Sequence, residues 1–101
     1  SPDPIDFISQ YGNNLNMRIY DINKCKELVK LIEENEIMND NSPTSSAAGI
    51  LYYYSMVKEL GYTKKCFAKA CNVSEVTIIK CYKIINMFHN FIITHKSNIF
   101  S

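Results

Sequence analysis

The amino-acid sequence predicts an all-α fold of five helices. Only three of its 101 residues are glycine. Apolar side chains recur at spacings of three and four, the period of a helix face, rather than alternating as in a strand. Four of the apolar runs are preceded by Asp21, Ser42, Thr63 or Ser74, residues whose side-chain oxygens accept from the free N–H groups of a helix start. With 47% of its residues hydrophobic, the chain is expected to fold around one shared core.

The first helix is expected over about residues 4–13, with Ile5, Ile8 and Tyr11 on one side. Pro4 suits its first position, where a missing N–H costs nothing, and Gly12-Asn13-Asn14 ends it. The second is expected over 21–37, with Asp21 as N-cap, favoured also by the positive end of the helix dipole. Ile22, Cys25, Leu28, Val29 and Ile32 form its apolar stripe, while Lys24, Lys26, Glu27, Lys30, Glu33 and Glu34 fill the wet face. It fades near Ile37, before the polar loop Asn39–Asn41.

Ser42-Pro43 starts the third helix, expected over 43–60. From Ser45 to Tyr52 it carries no charge, so it is expected to be buried and central. Its small residues allow close approach of neighbours, which accounts for the helix-weakening Gly49. Tyr52-Tyr53-Tyr54 suggests a base-stacking platform, but consecutive helical positions point about 100° apart, so packing is the expected role. Gly61 is placed to close this helix in the left-handed conformation.

A helix-turn-helix follows. Thr63 caps a short helix over 64–71, Asn72 turns the chain through a left-handed conformation, Val73 buries the turn, and Ser74 caps the last helix, 75–88. The small Ala68 stands where the two helices cross, and Ile78, Cys81, Tyr82 and Ile85 anchor the second one. The start of that second helix is then free to enter a B-DNA major groove. Its outer face comprises Glu75, Val76, Thr77, Ile79, Lys80 and Lys83. The helix start at Ser74 offers N–H groups to a phosphate, and Thr77 can donate to phosphate or base. Lys80 and Lys83 supply charge without directional readout, and Val76 and Ile79 can touch thymine methyls. The candidate DNA-binding residues are thus Lys64, Ser74, Val76, Thr77, Ile79, Lys80 and Lys83. The same spacing also suits a helical hairpin with no DNA partner.

Charge divides the chain. Residues 1–62 carry five cations against nine carboxylates, whereas residues 63–101 carry six lysines against Glu75 alone. A basic end of this kind can sit on a polyanion. Cys25, Cys66, Cys71 and Cys81 form no CxxC pair and have no histidine at zinc-ligand spacing, so buried, reduced thiols in an intracellular protein are expected and no metal site. There is no Ser/His/Asp set, no phosphate-cradling glycine loop and no carboxylate pair in an apolar setting. His89 and His95 lie in a tail, 91–101 and the residues just before it, with nothing nearby to orient them. An enzyme, a small-molecule substrate and a membrane span are not expected. The start Ser1-Pro2-Asp3, without initiator Met or signal run, reads as that of a piece of a longer protein. The abundance of Ile, Asn, Lys and Tyr, with one Arg against ten Lys, points to an AT-rich source genome.

The runs Ser42-Pro43-Thr44, Ala47-Ala48-Gly49-Ile50-Leu51-Tyr52, Asn72-Val73-Ser74-Glu75-Val76-Thr77-Ile78 and Tyr82-Lys83 together resemble the second cyclin-like repeat of the transcription factor IIB family. Pro4-Ile5-Asp6-Phe7-Ile8 is similar to the start of that repeat. The resemblance implies a five-helix cyclin-like repeat in a general initiation factor that binds promoter DNA beside the TATA-binding protein and recruits RNA polymerase. It implies a zinc ribbon upstream, a metal-free repeat here, and a place in the nucleus or a viral cytoplasmic replication site. In that family the Val of Val-Thr-Ile, here Val76, touches bases, and the residue after the Ile is commonly Arg. Here it is Ile79, so the guanine-reading contact is absent and an A/T-tolerant one is expected, with Lys80 and Lys83 on the backbone. The alternatives are a cyclin-type protein-interaction module without DNA binding and an unrelated repressor; the charge-free third helix and the long second helix weigh against the repressor.

Overall fold

The computed structural model describes residues 3–101. Among the described residues six helices follow in order: α1 (Pro4–Asn14), α2 (Ile19–Glu34), α3 (Pro43–Val57), α4 (Lys64–Cys71), α5 (Glu75–Asn86) and α6 (His89–His95). The five expected helices are present and the fold is all-α; the sixth comes from the tail. At the first of them, Asp3 accepts from the Ile5 N–H (3.0 Å) and Asp6 from the Asp3 N–H (3.0 Å), a reciprocal cap.

Helix α3 is central, as its lack of charge requires. Every residue from Ser46 to Ser55 is buried, and α1, α2, α4 and α5 all pack on it. At Gly49 there is no room for a side chain: an added Cβ would collide with the Cβ of Cys81 on α5 and lie 3.4 Å from its Cα. Tyr52, Tyr53 and Tyr54 point different ways into the core. Tyr52 meets Phe67 and Tyr82 edge-on, with ring centroids 5.2 and 5.4 Å away.

Asp21 is not an N-cap. Helix α2 opens two residues earlier, behind an extended Arg18 that makes no side-chain cap bond. The Asp21 carboxylate turns inward and is 2% exposed. It accepts from the Tyr54 hydroxyl (2.6 Å) and from Arg18 Nε (3.3 Å). A buried tyrosine hydroxyl requires an acceptor, and this requirement outweighs the capping preference. Burial, joined by the bond to Asp21, pushes the Tyr54 hydroxyl above its ordinary titration range.

Three helix ends also fall short of the expected boundaries, that of α5 at Asn86 rather than 88, where the chain turns into α6. Helix α2 stops at Glu34 rather than 37, where Asn35 Nδ2 donates back to the Leu31 carbonyl (2.8 Å) and Glu36 takes a left-handed φ of 53°. Helix α3 stops at Val57 rather than 60, and Glu59, not Gly61, is the left-handed residue that closes it (φ 54°). The Glu59 N–H donates to the Met56 carbonyl (3.2 Å) and the Leu60 N–H to that of Ser55 (3.0 Å), a Schellman closure that half-buries Leu60. Gly61, at φ 87°, belongs to the link that follows.

The tail folds back. Helix α5 ends at Asn86, and Met87 and Phe88 turn the chain into α6. Ile92 and Ile99 are fully buried, and Phe100 packs against Tyr53, Tyr54 and His89. Carbonyls of the last residues accept from Tyr20 Oη (Ser101, 2.7 Å), Lys24 Nζ (Asn98, 3.1 Å) and Lys58 Nζ (Phe100, 2.9 Å). His89 is thereby oriented after all, with Nδ1 hydrogen-bonded to the Tyr53 hydroxyl at 2.6 Å, while His95 Nδ1 bonds the Phe91 carbonyl (2.9 Å). Residue 90, the expected limit of the repeat, thus falls inside α6.

Candidate nucleic-acid interface

The α4–α5 unit is set by three local choices of the sequence. Thr63 Oγ1 accepts from the Cys66 N–H at 3.1 Å, which starts α4. Asn72, at φ 53° and ψ 44°, ends it in the left-handed conformation that asparagine tolerates. Ser74 Oγ then accepts from the Thr77 N–H at 3.2 Å and starts α5. The inner side of α5 is Ile78, Cys81 and Ile85, all fully buried, with Tyr82 half-buried beside them. Burial pushes the Cys81 thiol up, an effect that the Lys80 ammonium partly offsets, and burial pushes the Cys71 thiol up to about 12. Cys25 is buried too, whereas Cys66 is exposed, against the expectation of four buried thiols, because it lies on the outer side of α4.

The outer side of α5 follows helix periodicity. Val76, Ile79, Lys80 and Lys83 stand at i, i+3, i+4 and i+7 and so share one stripe. Lys64, from the first turn of α4, joins them. These five candidates line one shallow groove of about 590 Å³, together with Glu75. Val76 is 79% exposed there, and Ile79 is half-buried with one flank on the core. Among the described residues the ion pairs are Arg18–Asp21, at the start of α2, and Lys24–Glu27 within it. Lys64, Lys80 and Lys83 therefore present charge that no carboxylate holds in place.

Ser74 and Thr77 do not line the groove. The Ser74 hydroxyl donates to Thr77 Oγ1 at 2.9 Å while accepting the Thr77 N–H, so both side chains serve the start of α5 beside the groove. Glu75, expected on the outer face but not among the DNA-binding candidates, borders the stripe four residues before Ile79. Among the described residues no three His, Cys, Asp or Glu side chains are grouped to hold a metal ion, and no helix is long and apolar enough to cross a membrane.

A family model described as "Transcription factor TFIIB repeat" matches residues 2–87, which takes in every residue of this groove. The chain belongs to the TFIIB family. Its fold is that of the cyclin-like TFIIB repeat. Among its relatives, "Transcription initiation factor IIB" of Archaeoglobus fulgidus is 32% identical over 80 residues, covering 79% of this chain and 24% of the relative. The protein of the same name from Methanosarcina mazei is 30% identical, again over 79% of this chain and 24% of its own length. "Transcription initiation factor IIB 1" of Thermoplasma volcanium is 30% identical over 77% of this chain and 25% of its own. The chain thus spans about a quarter of the length of these curated relatives. No solved structure matches it significantly.

Proposed function

We propose that this TFIIB repeat is a duplex-DNA-binding module of a transcription initiation factor, with α5 lying along the major groove. The observation that carries the reading is the groove itself: Lys64, Lys80 and Lys83, free of carboxylate partners, flank the outward Val76 and Ile79. Lysine ammoniums on phosphates anchor a protein without specifying sequence, and the free N–H groups at the start of α5 add a further anion contact. Family membership supports placing the module on promoter DNA, in the company of the TATA-binding protein and RNA polymerase, and the Ser42–Thr44 and Asn72–Ile78 runs support reading it as the second repeat of its factor.

Binding of a fluorescent duplex by the chain, titrated with salt, tests the reading. Affinity is expected to fall steeply with salt as condensed counterions are released. Lys80→Ala with Lys83→Ala is expected to weaken binding on every sequence and to reduce the logarithmic salt slope by about 2. An unchanged slope and affinity would place the DNA surface elsewhere. The rival protein-interaction reading draws on a different observation, the outward Met87, Phe88 and Ile93 around the α5–α6 junction. It is favoured if no duplex binds even at low salt.

A further inference from the structure

The acidic part of the chain holds a second concave feature, which shares no residue with the groove on α5. The start of α1, the end of α2 and the start of α3 meet there around a cleft of about 160 Å³. Its floor is apolar: Ile32, Met38 and Ile50 are all buried. The polar groups around that floor are acceptors with no cation among them. Among the described residues of the lining Glu33 alone is charged, and Lys30, a turn earlier on α2, makes no ion pair with it. Partial burial, joined by the nearby Asp3 carboxylate, pushes the Glu33 carboxyl up. Asn41 gives its Nδ2 to Cys81 Sγ (3.6 Å), which leaves its amide oxygen to accept. Ser46 is 3% exposed, yet its hydroxyl makes no hydrogen bond among the described residues. A buried hydroxyl without a partner is costly, and this one lines space that a partner can enter.

We propose that this cleft receives one arginine side chain from a basic segment of a partner protein. A cavity of about 150 Å³ takes a molecule the size of benzene, so a single side chain fills the cleft and no helix or strand enters it. The occupant has to join an apolar body to a cationic head, because the floor is aliphatic and the polar groups accept. Lysine and arginine both lay an apolar stem along such a surface and keep the charge at its tip. Arginine fits better: its guanidinium is more weakly hydrated than an ammonium, and its five N–H donors fan out towards acceptors in different directions. Glu33 and Asp3 turn anions away. The surroundings extend the same complementarity, since Glu34, Glu36 and Asp40 are exposed nearby in sequence, and residues 1–62 carry five cations against nine carboxylates.

Short peptides with blocked ends, carrying one arginine among alanines, probe the cleft when titrated into the intact chain and followed by amide NMR. The same peptide with citrulline in place of arginine keeps the shape and removes the charge. The arginine peptide is expected to shift the amides of Ile32, Glu33, Met38 and Ser46 saturably, and the citrulline peptide to bind about threefold more weakly or worse. Glu33→Gln is expected to weaken the arginine peptide about threefold, as for a partly exposed ion pair. Ser46→Ala is expected to weaken it about twofold to tenfold, as for one lost hydrogen bond. The Ser46 hydroxyl has no partner within the described residues to lose, so the same variant is expected to resist urea as well as wild type does. Equal binding of the arginine and citrulline peptides overturns the proposal, because charge is then not what the cleft selects. Arginine binding undiminished in both variants places the site elsewhere and overturns it too. Shifts of the same amides when the chain is concentrated without peptide would make a second copy the occupant, against the proposal. A failure of the arginine peptide to give any saturable shift overturns it outright.

Discussion

Helices α3 and α5 begin with the same chemistry and end in opposite circumstances. In each, a serine N-cap accepts an N–H three residues on: Ser42 from Ser45 at 3.3 Å, and Ser74 from Thr77 at 3.2 Å. In each, the serine hydroxyl also bonds that residue's own hydroxyl at 2.9 Å. Yet α3 is buried for ten consecutive residues, while α5 buries Ile78, Cys81 and Ile85 and leaves Val76, Lys80 and Lys83 outside. A cap fixes where a helix starts and nothing about where it goes. The side-chain pattern does the rest, since a charge-free helix can be covered on all sides and a helix with lysines at i and i+3 cannot.

The contact between these two helices is where a small change has the largest expected effect. Gly49→Ala gains about 1 kcal/mol of helix propensity. The new Cβ, however, meets Cys81 on a neighbouring backbone and not at the end of a flexible side chain. Overpacking at such a point costs about 3 kcal/mol, so a net loss of about 2 kcal/mol is expected from urea denaturation. Cys81→Ala should not rescue it, because the colliding atom is the Cβ that alanine keeps. Rescue by that substitution would show that the helices are not pressed together here.

Next in size is the buried pair that joins α3 to α2. Tyr54→Phe keeps the ring and removes the hydroxyl that donates to Asp21. One oxygen of a 2%-exposed carboxylate then loses its donor, leaving Arg18 as its remaining partner. Hydrogen bonds to charged groups are worth about 1.5–3 kcal/mol, so a loss of about 2 kcal/mol at neutral pH is expected, scarcely less than at Gly49. A loss well below 1 kcal/mol in urea denaturation would mean that the ring's packing, and not the bond, is what Tyr54 contributes.

These two sites mark how far the sequence alone could be read. Period and caps located the helices, because both are local: Pro43, Thr63, Asn72 and Ser74 are found where their chemistry places them. The outer stripe of α5 was legible for the same reason, since i, i+3, i+4 and i+7 on a capped helix must share a face. Asp21 misled because capping and burial use the same carboxylate, and only the distant Tyr54 hydroxyl shows which use wins. The tail was illegible because its ties are long-range and run from Tyr20, Lys24 and Lys58 to backbone carbonyls, which leave no mark in side-chain pattern. His89 looked idle for want of Tyr53, a residue 36 positions away.

The smallest expected effect is the sharpest contrast with Gly49, and it lies on α5, on the side away from the Cys81 that Gly49 meets. Val76→Glu places a carboxylate at a position that is 79% exposed, so no cavity, clash or buried charge results. Its stability is expected to stay within about 0.5 kcal/mol of wild type, as for other surface substitutions. The new charge also lies in the first turn of α5, where the helix dipole favours it. On DNA the expectation reverses: the carboxylate stands beside Glu75 in the groove, facing phosphates and base acceptors, and binding should weaken at least tenfold. Circular dichroism and a duplex titration on one sample separate the two quantities. If helicity falls along with affinity, Val76 is part of the core and the division of α5 into a packed side and a free side fails. If neither changes, the free side exists but DNA does not touch it.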